Sequence, residues 1–191
     1  MMMENEFEEL VKNRWSPRAF SDKEITKDEM SSIFNAGKQV ATSYNEQPWK
    51  FLLVQKGEES YKKLLHCLDD FNRKWAGEAP YLGIALSKRN FDGNLKENPH
   101  YTYDTGAFMA VASLAAFDLG IFIHQMAGFS EQKVQEQFAI PERYRPITLF
   151  AMGRHGKTED LPEEIKKKES AHSSRKKLQE FLFRDQWDNP F

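Results

Sequence analysis

Hydrophobic positions along the chain alternate between helical and extended spacing. Apolar residues recur at every third or fourth position in three stretches that predict amphipathic helices, residues 4–12, 26–38 and 60–70. Short apolar runs bounded by turn residues predict strands at residues 51–54, 81–87, 121–123, 145–152 and 181–183. Because helices and strands alternate without a linker or an internal repeat, the pattern indicates a mixed α/β sandwich formed by one domain, residues 1–191.

Two further stretches carry large amounts of apolar surface. The predicted helix 102–119 is apolar on nearly every side, which is typical of a helix that is central or shared with a partner subunit. Residues 178–191, predicted as a C-terminal strand and arm, retain Trp187 and Phe191 after the last element. Since large aromatic side chains are costly to expose, we expect this arm to pack on another surface, such as a partner subunit.

The composition argues against several classes of protein. The chain has 191 residues, a hydrophobic content of 40% and a net charge of -2, so it is globular and its charge favours neither nucleic acid nor anionic membrane as a partner. The apolar run 107–117 is shorter than the roughly 20 residues of a membrane-spanning helix. A single cysteine, Cys67, and an N-terminus without the pattern of a secretory signal favour a cytoplasmic protein.

Common catalytic motifs are missing from the sequence. It has no G-x-G-x-x-G, no G-x-x-x-x-G-K-[ST] and no G-x-S-x-G, which argues against a Rossmann dinucleotide site, a P-loop and a serine nucleophile of that kind. The five histidines are scattered without metal-ligand spacing, so no metal site is predicted. Nothing near Cys67 in the sequence indicates an activated thiol. We therefore name no catalytic side chain.

The first candidate site is the segment Arg14-x-Ser16-x-Arg18. Pro17 and the alternation of the three polar residues favour an extended chain, in which alternate side chains share a face. Two guanidinium groups and a hydroxyl would then point the same way, and this suits a phosphate-bearing ligand because arginine binds phosphate in a bidentate fashion. The alternative is that both arginines are solvated surface residues.

The second candidate site is the loop between the predicted helix 26–38 and the strand 51–54. The amides of Asn45 and Gln47 provide both donors and acceptors, which suit a flat heterocycle with alternating hydrogen-bonding atoms at its edge. Pro48 is expected to hold Gln47 in an extended conformation and to define the start of the strand. The alternative is a helix–strand turn whose polar side chains bond their own backbone.

In their order along the chain, these motifs resemble those of the nitroreductase family of FMN-dependent oxidoreductases. Arg14-x-Ser16-x-Arg18-x-Phe20 is similar to the family's N-terminal R-x-S-x-R-x-F motif. The stretch 41–51 is similar to its P-S-x-x-N-x-Q-P-W-x-F motif, with Ala41 and Thr42 where Pro and Ser are usual. The stretch 119–129 is similar to its segment around L-G and G-F, and the stretch 175–180 to its late R-K-P-L-E-E element, with Lys177 where Pro is usual. This chain departs from the family pattern by a charged insert, residues 157–171, before the late arginine.

The resemblance implies a fold and a cofactor. The fold would be α+β, a three-layer α/β/α sandwich with a mostly antiparallel or mixed central sheet. The cofactor would be FMN, bound at the interface of a homodimer. The implied cofactor-binding residues are Arg14, Ser16, Arg18, Thr42, Ser43, Asn45, Gln47, Met126, Ala127, Gly128 and Arg175.

The resemblance also assigns roles to the basic residues. Arg14 and Arg175 would pair with the FMN phosphate, and Ser16 would bond the phosphate or the ribityl chain. Arg18 would face the ribityl chain and the N1/O2 edge of the ring, where a cation favours the reduced form of the cofactor.

The remaining residues would surround the ring. Asn45 and Gln47 would bond the ring or the ribityl hydroxyls, whereas Thr42 and Ser43 would line the flavin of the opposite subunit. Residues 126–128 would pass near N5, with Gly128 allowing close approach of the backbone.

The implied activity is reduction of a small-molecule acceptor. NADH or NADPH would give a hydride to the flavin and leave, and a nitroaromatic, a quinone or a similar acceptor would then take two electrons at the same place. Two alternatives stay open. In the first alternative, the chain is an FMN-binding storage or regulatory module without fast turnover. In the second, it is an enzyme of the same fold with different chemistry, such as reductive dehalogenation or flavin breakdown.

Overall fold

The structure is a computed structural model that describes residues 5–169 and 173–191. The helices are α1 Glu6–Asn13, α2 Lys27–Gly37, α3 Glu59–Cys67, α4 Asp70–Ala76, α5 Tyr101–Asp118, α6 Glu131–Gln137 and α7 Glu163–Lys166. The strands are β1 Phe20–Ser21, β2 Trp49–Gln55, β3 Tyr81–Lys88, β4 Phe122–Met126 and β5 Tyr144–His155. Glu4, the first residue of the predicted first helix, and residues 170 and 171 of the charged insert lie outside the described residues.

The described strands form one five-stranded sheet in the order β1-β5-β3-β2, with β4 also paired to β5. All of the strand pairs are antiparallel. The 12-residue strand β5 is the hub, because it pairs with β3, with β4 and, at its C-terminal end, with β1.

Side chains on the two faces of the sheet enter two separate hydrophobic cores. Leu82, Ile84 and Leu86 of β3 enter the core that contains Trp75 of α4, whereas Ala85 enters the core that contains Phe108 of α5. This alternation is the two-residue period of a strand that is buried on both faces. Helices therefore cover both faces, which confirms the predicted α+β three-layer sandwich.

Local sequence signals predicted most helix ends correctly. Thr26 caps α2 through the predicted capping box, in which its Oγ1 accepts from Glu29 N–H at 3.2 Å and the Glu29 carboxylate accepts from Thr26 N–H at 2.9 Å. Gly120, with φ 67°, ends α5. The single helix predicted at residues 60–70 is wrong. The chain breaks at Leu68, which pairs with Phe129, and Asp69 caps a separate helix, α4.

The predicted C-terminal strand at residues 181–183 is also wrong. A 3-10 turn spans Leu178–Glu180, and the chain then folds back on itself through a single β-bridge between Phe183 and Pro190 instead of joining the sheet. Trp187 and Phe191 are 86% and 76% exposed. Packing of this arm, residues 178–191, on a partner subunit stays a prediction.

Across the described residues, the helices are all too short or too polar to cross a membrane.

Candidate functional site

A cavity of about 790 Å³ opens where α1, the segment after it and β4 meet Lys168, Ser173 and Arg175. Four of the predicted cofactor residues line this cavity, namely Arg14, Ser16, Arg18 and Arg175. Sequence reasoning missed the other lining residues, which are Phe7, Glu8, Val11, Lys12, Trp15, His124, Lys168 and Ser173. Cationic groups therefore share the cavity with an apolar wall from α1.

Arg14 and Arg175 both line this cavity. Burial and the neighbouring Arg175 guanidinium lower the pKa of Arg14, so the two like charges lie within electrostatic reach of each other. Arg14 Nη1 donates to Ser16 Oγ at 3.4 Å, which draws the hydroxyl into the same cluster. Paired guanidinium groups beside a hydroxyl fit an anion with several acceptor oxygens, such as a phosphate group.

Arg18 is held more tightly than the sequence suggested. Its Nη1 donates to the carbonyl of Lys168 at 3.0 Å and lies 3.6 Å from a carboxylate oxygen of Glu169. Its guanidinium lies 5.9 Å from the centre of the Trp75 ring. Arg18 Nε is buried and has no hydrogen-bond partner within residues 5–169 and 173–191.

His124 lines the cavity from β4, although the sequence offered no reason to select it from the scattered histidines. Its Nδ1 lies 2.8 Å from the carbonyl oxygen of Pro17, and its ring centre lies 4.4 Å from that of Trp75. Burial, together with a smaller contribution from the positive charge of Arg18, lowers the pKa of His124 to about 4. The imidazole is therefore neutral at pH 7 and adds no charge to the cluster of arginines.

The predicted loop residues lie outside this cavity. Thr42 Oγ1 accepts from Gln47 N–H at 3.3 Å, and the Gln47 amide donates to the backbone and side-chain oxygens of Asn45 at 3.3 and 3.2 Å. Ser43 N–H donates at 3.1 Å to Asp104, which is buried. Within one chain, the loop thus satisfies its own polar groups, as the alternative interpretation of this loop expected.

The loop also has an unusual backbone. Tyr44, Asn45 and Gln47 have φ values of 52°, 57° and 47°, in the left-handed region that residues other than glycine seldom adopt. The expectation that Pro48 holds Gln47 in an extended conformation is therefore wrong. Tyr44 is 91% exposed. Such strain is typical of functional loops, where the surrounding structure imposes the conformation.

An ion pair clamps the loop to the end of β3. Glu46 accepts from Lys88 Nζ at 2.7 Å and from Asp92 N–H at 2.7 Å, and Lys88 also pairs with Asp92. The side chains of Glu46 and Lys88 are only 12% and 10% exposed. Burial opposes the charge of Lys88, but the two carboxylates outweigh burial and raise its pKa.

Met126, Ala127 and Gly128 do not line the cavity either. Met126 is buried in the core, whereas Ala127 is exposed. Gly128 packs against the start of α4, where an added Cβ would overlap Asp69 Oδ2 and lie 2.7 Å from Asn72 Nδ2. Within the chain, this close packing already favours a glycine at position 128, whether or not a flavin ring approaches its backbone.

Comparison with known proteins begins with a family model. The nitroreductase family model matches residues 11–79, which include Arg14, Arg18 and the loop. A protein of Mycolicibacterium smegmatis, named "Uncharacterized 15.4 kDa protein in ask 5'region", is 31% identical over 87 residues, and the match covers 46% of this chain and 58% of that protein. "Putative NAD(P)H nitroreductase YdgI" of Bacillus subtilis (strain 168) is 25% identical over 191 residues, 81% of this chain and 90% of the relative.

Solved structures agree with this match over nearly the whole chain. A crystal structure described as an oxidoreductase containing FMN has a TM-score of 0.89 and 26% identity, covering 98% of this chain and 96% of that one. The chain thus resembles the nitroreductase family in residues 11–79 and, over nearly its whole length, has the fold of an FMN-containing oxidoreductase. A nitroreductase-family structure from Streptococcus pneumoniae TIGR4 shares the fold with a TM-score of 0.76 and 20% identity, and the match covers 94% of this chain and 100% of that one.

Proposed function

We propose that this protein is an FMN-dependent oxidoreductase that uses NADH or NADPH to reduce nitroaromatic, quinone or similar acceptors. The observation that carries the proposal is the cavity in which Arg14, Ser16, Arg18 and Arg175 converge. When bound, FMN supplies the electron chemistry, since it takes two electrons from the nicotinamide and passes them to the acceptor. The FMN in the oxidoreductase structure and the NAD(P)H in the name of the Bacillus relative support the choice of partners.

The residues of the cavity would divide the work of binding. Arg14 and Arg175 would neutralise the phosphate, which relieves the repulsion between their own charges. Ser16 would bond the phosphate or the ribityl chain. Arg18, with a buried donor, would face the ribityl chain and one edge of the ring. Neutral His124 would leave the charge of the site to the arginines.

The second half of the site would come from a partner subunit. We propose a homodimer in which Thr42, Ser43, Asn45 and Gln47 of one chain complete the cavity of the other chain, because these residues lie outside the cavity of their own chain. One face of α5 exposes Tyr103, Gly106 and Ala110 at helical spacing, and the C-terminal arm exposes aromatic side chains. A partner subunit would cover both the exposed face of α5 and the aromatic side chains of the arm. Sedimentation that finds a stable FMN-bound monomer near the chain mass of 22.3 kDa would contradict the dimer.

Purified protein tests the cofactor and the reaction in turn. We expect a yellow protein that absorbs near ~450 nm and that loses this absorbance when NADH or NADPH is added without oxygen. A nitroaromatic or a quinone should restore it. Colourless protein that gains no absorbance with added FMN would overturn the proposal. FMN that NAD(P)H bleaches only slowly would favour the storage module, and fast bleaching with no reoxidation by either acceptor would favour different chemistry.

The proposal includes a cytoplasmic location, because the single Cys67 is compatible with a reducing compartment. Cell fractionation tests this part of the proposal on its own.

A further inference from the structure

Glu169 anchors the charged insert to the segment that lines the cavity. Its carboxylate is only 2% exposed. It accepts from Arg18 N–H at 2.9 and 3.1 Å and from Ala19 N–H at 3.2 Å. Burying a carboxylate is costly unless donors or an opposite charge lie beside it; here two backbone amides donate to it and the Arg18 guanidinium supplies the opposite charge.

The same carboxylate offsets the charge of Arg18. Glu169 Oε2 lies 3.6 Å from Arg18 Nη1, and the Arg18 side chain is 20% exposed, so water screens this pair only in part. A cation and an anion this close present little net charge to a third group farther away. The family resemblance describes Arg18 as a cation at the edge of the ring, whereas this chain places a buried anion directly behind it.

We propose that Glu169 is a positioning residue whose negative charge lowers the reduction potential of bound FMN by offsetting Arg18. This inference rests on the proposed function. Reduction adds electrons to the cofactor, so a nearby cation favours the reduced form and a nearby anion disfavours it. Glu169 belongs to the insert by which this chain departs from the family pattern. The insert would thereby tune the potential of the flavin in this chain.

Glu169→Gln removes the charge and keeps an oxygen that accepts from the backbone amides. At a fixed potential set by a reference dye, we expect the ratio of reduced to oxidised FMN to rise roughly tenfold, or about 30 mV for a two-electron couple. Glu164→Gln is the matched control on the same segment. Its carboxylate is 57% exposed and pairs with Lys74 at 2.6 Å, so losing its charge should leave the ratio unchanged.

Two further variants separate a role of charge from a purely structural role. Arg18→Gln leaves the carboxylate unopposed and should lower the ratio roughly tenfold, the opposite sign from Glu169→Gln. The double variant removes both charges and should return close to the wild-type ratio. A structural role predicts instead that the single variants bind FMN more weakly, melt at lower temperature and share the wild-type ratio.

The outcomes distinguish the inference from the function on which it rests. Wild-type protein that neither holds FMN nor binds added FMN overturns both. Wild-type protein that holds FMN and is bleached by NAD(P)H, together with an unchanged ratio in Glu169→Gln, overturns the inference alone. If Glu169→Gln does not fold, the inference is tested with Arg18→Gln. A ratio of reduced to oxidised FMN that is unchanged or raised in Arg18→Gln overturns the inference.

Discussion

The cavity around Arg14 and the loop 42–47 belong to one predicted site, yet the chain builds them in opposite ways. The cavity is braced by bonds between residues far apart in sequence, such as those from His124 to Pro17 and from Glu169 to Arg18. Hydrogen bonds within the loop are local, and its backbone is strained. The cavity thus contains a buried donor and a cluster of cations, whereas the polar groups of the loop bond one another within the chain. Within a single chain the loop and the cavity are therefore separate, and in the proposed dimer each would form one half of a site.

The largest expected effect is the loss of folding stability in acid that His124, a lining residue of the cavity, causes. Burial lowers the pKa of His124 from 6.5 to about 4. Between these pH values the unfolded chain binds a proton that the folded chain does not. The free energy of unfolding should therefore fall as the pH drops through this window, by at most about 3 kcal/mol, with no effect above it. Urea unfolding of wild type and His124→Gln at pH 7 and 4.5 measures the difference. Equal losses in both proteins would show that another group titrates.

The next effect concerns FMN affinity. Arg14→Ala should weaken FMN binding about 10- to 150-fold, or roughly 1.5–3 kcal/mol, because it removes a charge-assisted hydrogen bond to the phosphate. Fluorescence titration of the apoprotein measures the dissociation constant. Lys63→Ala, the control, removes one charge from an exposed position on α3 and should leave the dissociation constant for FMN unchanged. Equal affinity of Arg14→Ala and wild type would remove Arg14 from the site.

Mixing variants tests whether the two half-sites combine across subunits. Chains with Arg14→Ala and chains with Gln47→Ala each lack one half. If both halves come from different chains, equal mixing and subunit exchange should regenerate about a quarter of the sites in wild-type form, one in each mixed dimer. No recovery, in a mixture whose exchange is confirmed with tagged chains, would show that the loop and the cavity act within one chain.

A smaller effect is expected at the ion pair that clamps the loop. Glu46→Gln should lower the free energy of unfolding by roughly 1–2 kcal/mol, since Lys88 is nearly buried but keeps Asp92 as a partner. Chemical denaturation measures this loss. Glu24→Gln, at an exposed position before α2, should change stability by less than about 0.5 kcal/mol. Similar values for the two variants would mean that the clamp does not stabilise the loop.

The smallest effect is expected at the exposed ring of the loop. Tyr44→Gly relieves the left-handed backbone but makes the unfolded chain more flexible, so the two terms should nearly cancel and stability should change by less than about 1 kcal/mol. Thermal and urea unfolding check this value. A loss above about 2 kcal/mol would indicate that Tyr44, which is 91% exposed in the single chain, is covered in the assembled protein.

Sequence patterns were sufficient where a structural feature depends on neighbours in the chain. The Thr26–Glu29 capping box, the end of α5 at Gly120 and the strand β3 follow from residues a few positions apart. The alternation Arg14-x-Ser16-x-Arg18 likewise predicted three residues of the cavity. Alternation alone was incomplete, however, because Trp15 lines the same cavity.

What the sequence determined by itself is therefore most of the helices and strands, the basic motif and the family resemblance, since spacing and residue type encode them locally. Only the tertiary structure brought His124 to the wall of the cavity, against Pro17, which lies 107 residues away in the sequence. It likewise brought Glu169 against Arg18, which lies 151 residues away. It also separated the loop from the cavity, and it explained Gly128 by contact with Asp69. These features depend on the path of the chain around the sheet. No local pattern specifies that path, because a contact between distant residues leaves no periodic trace in either segment.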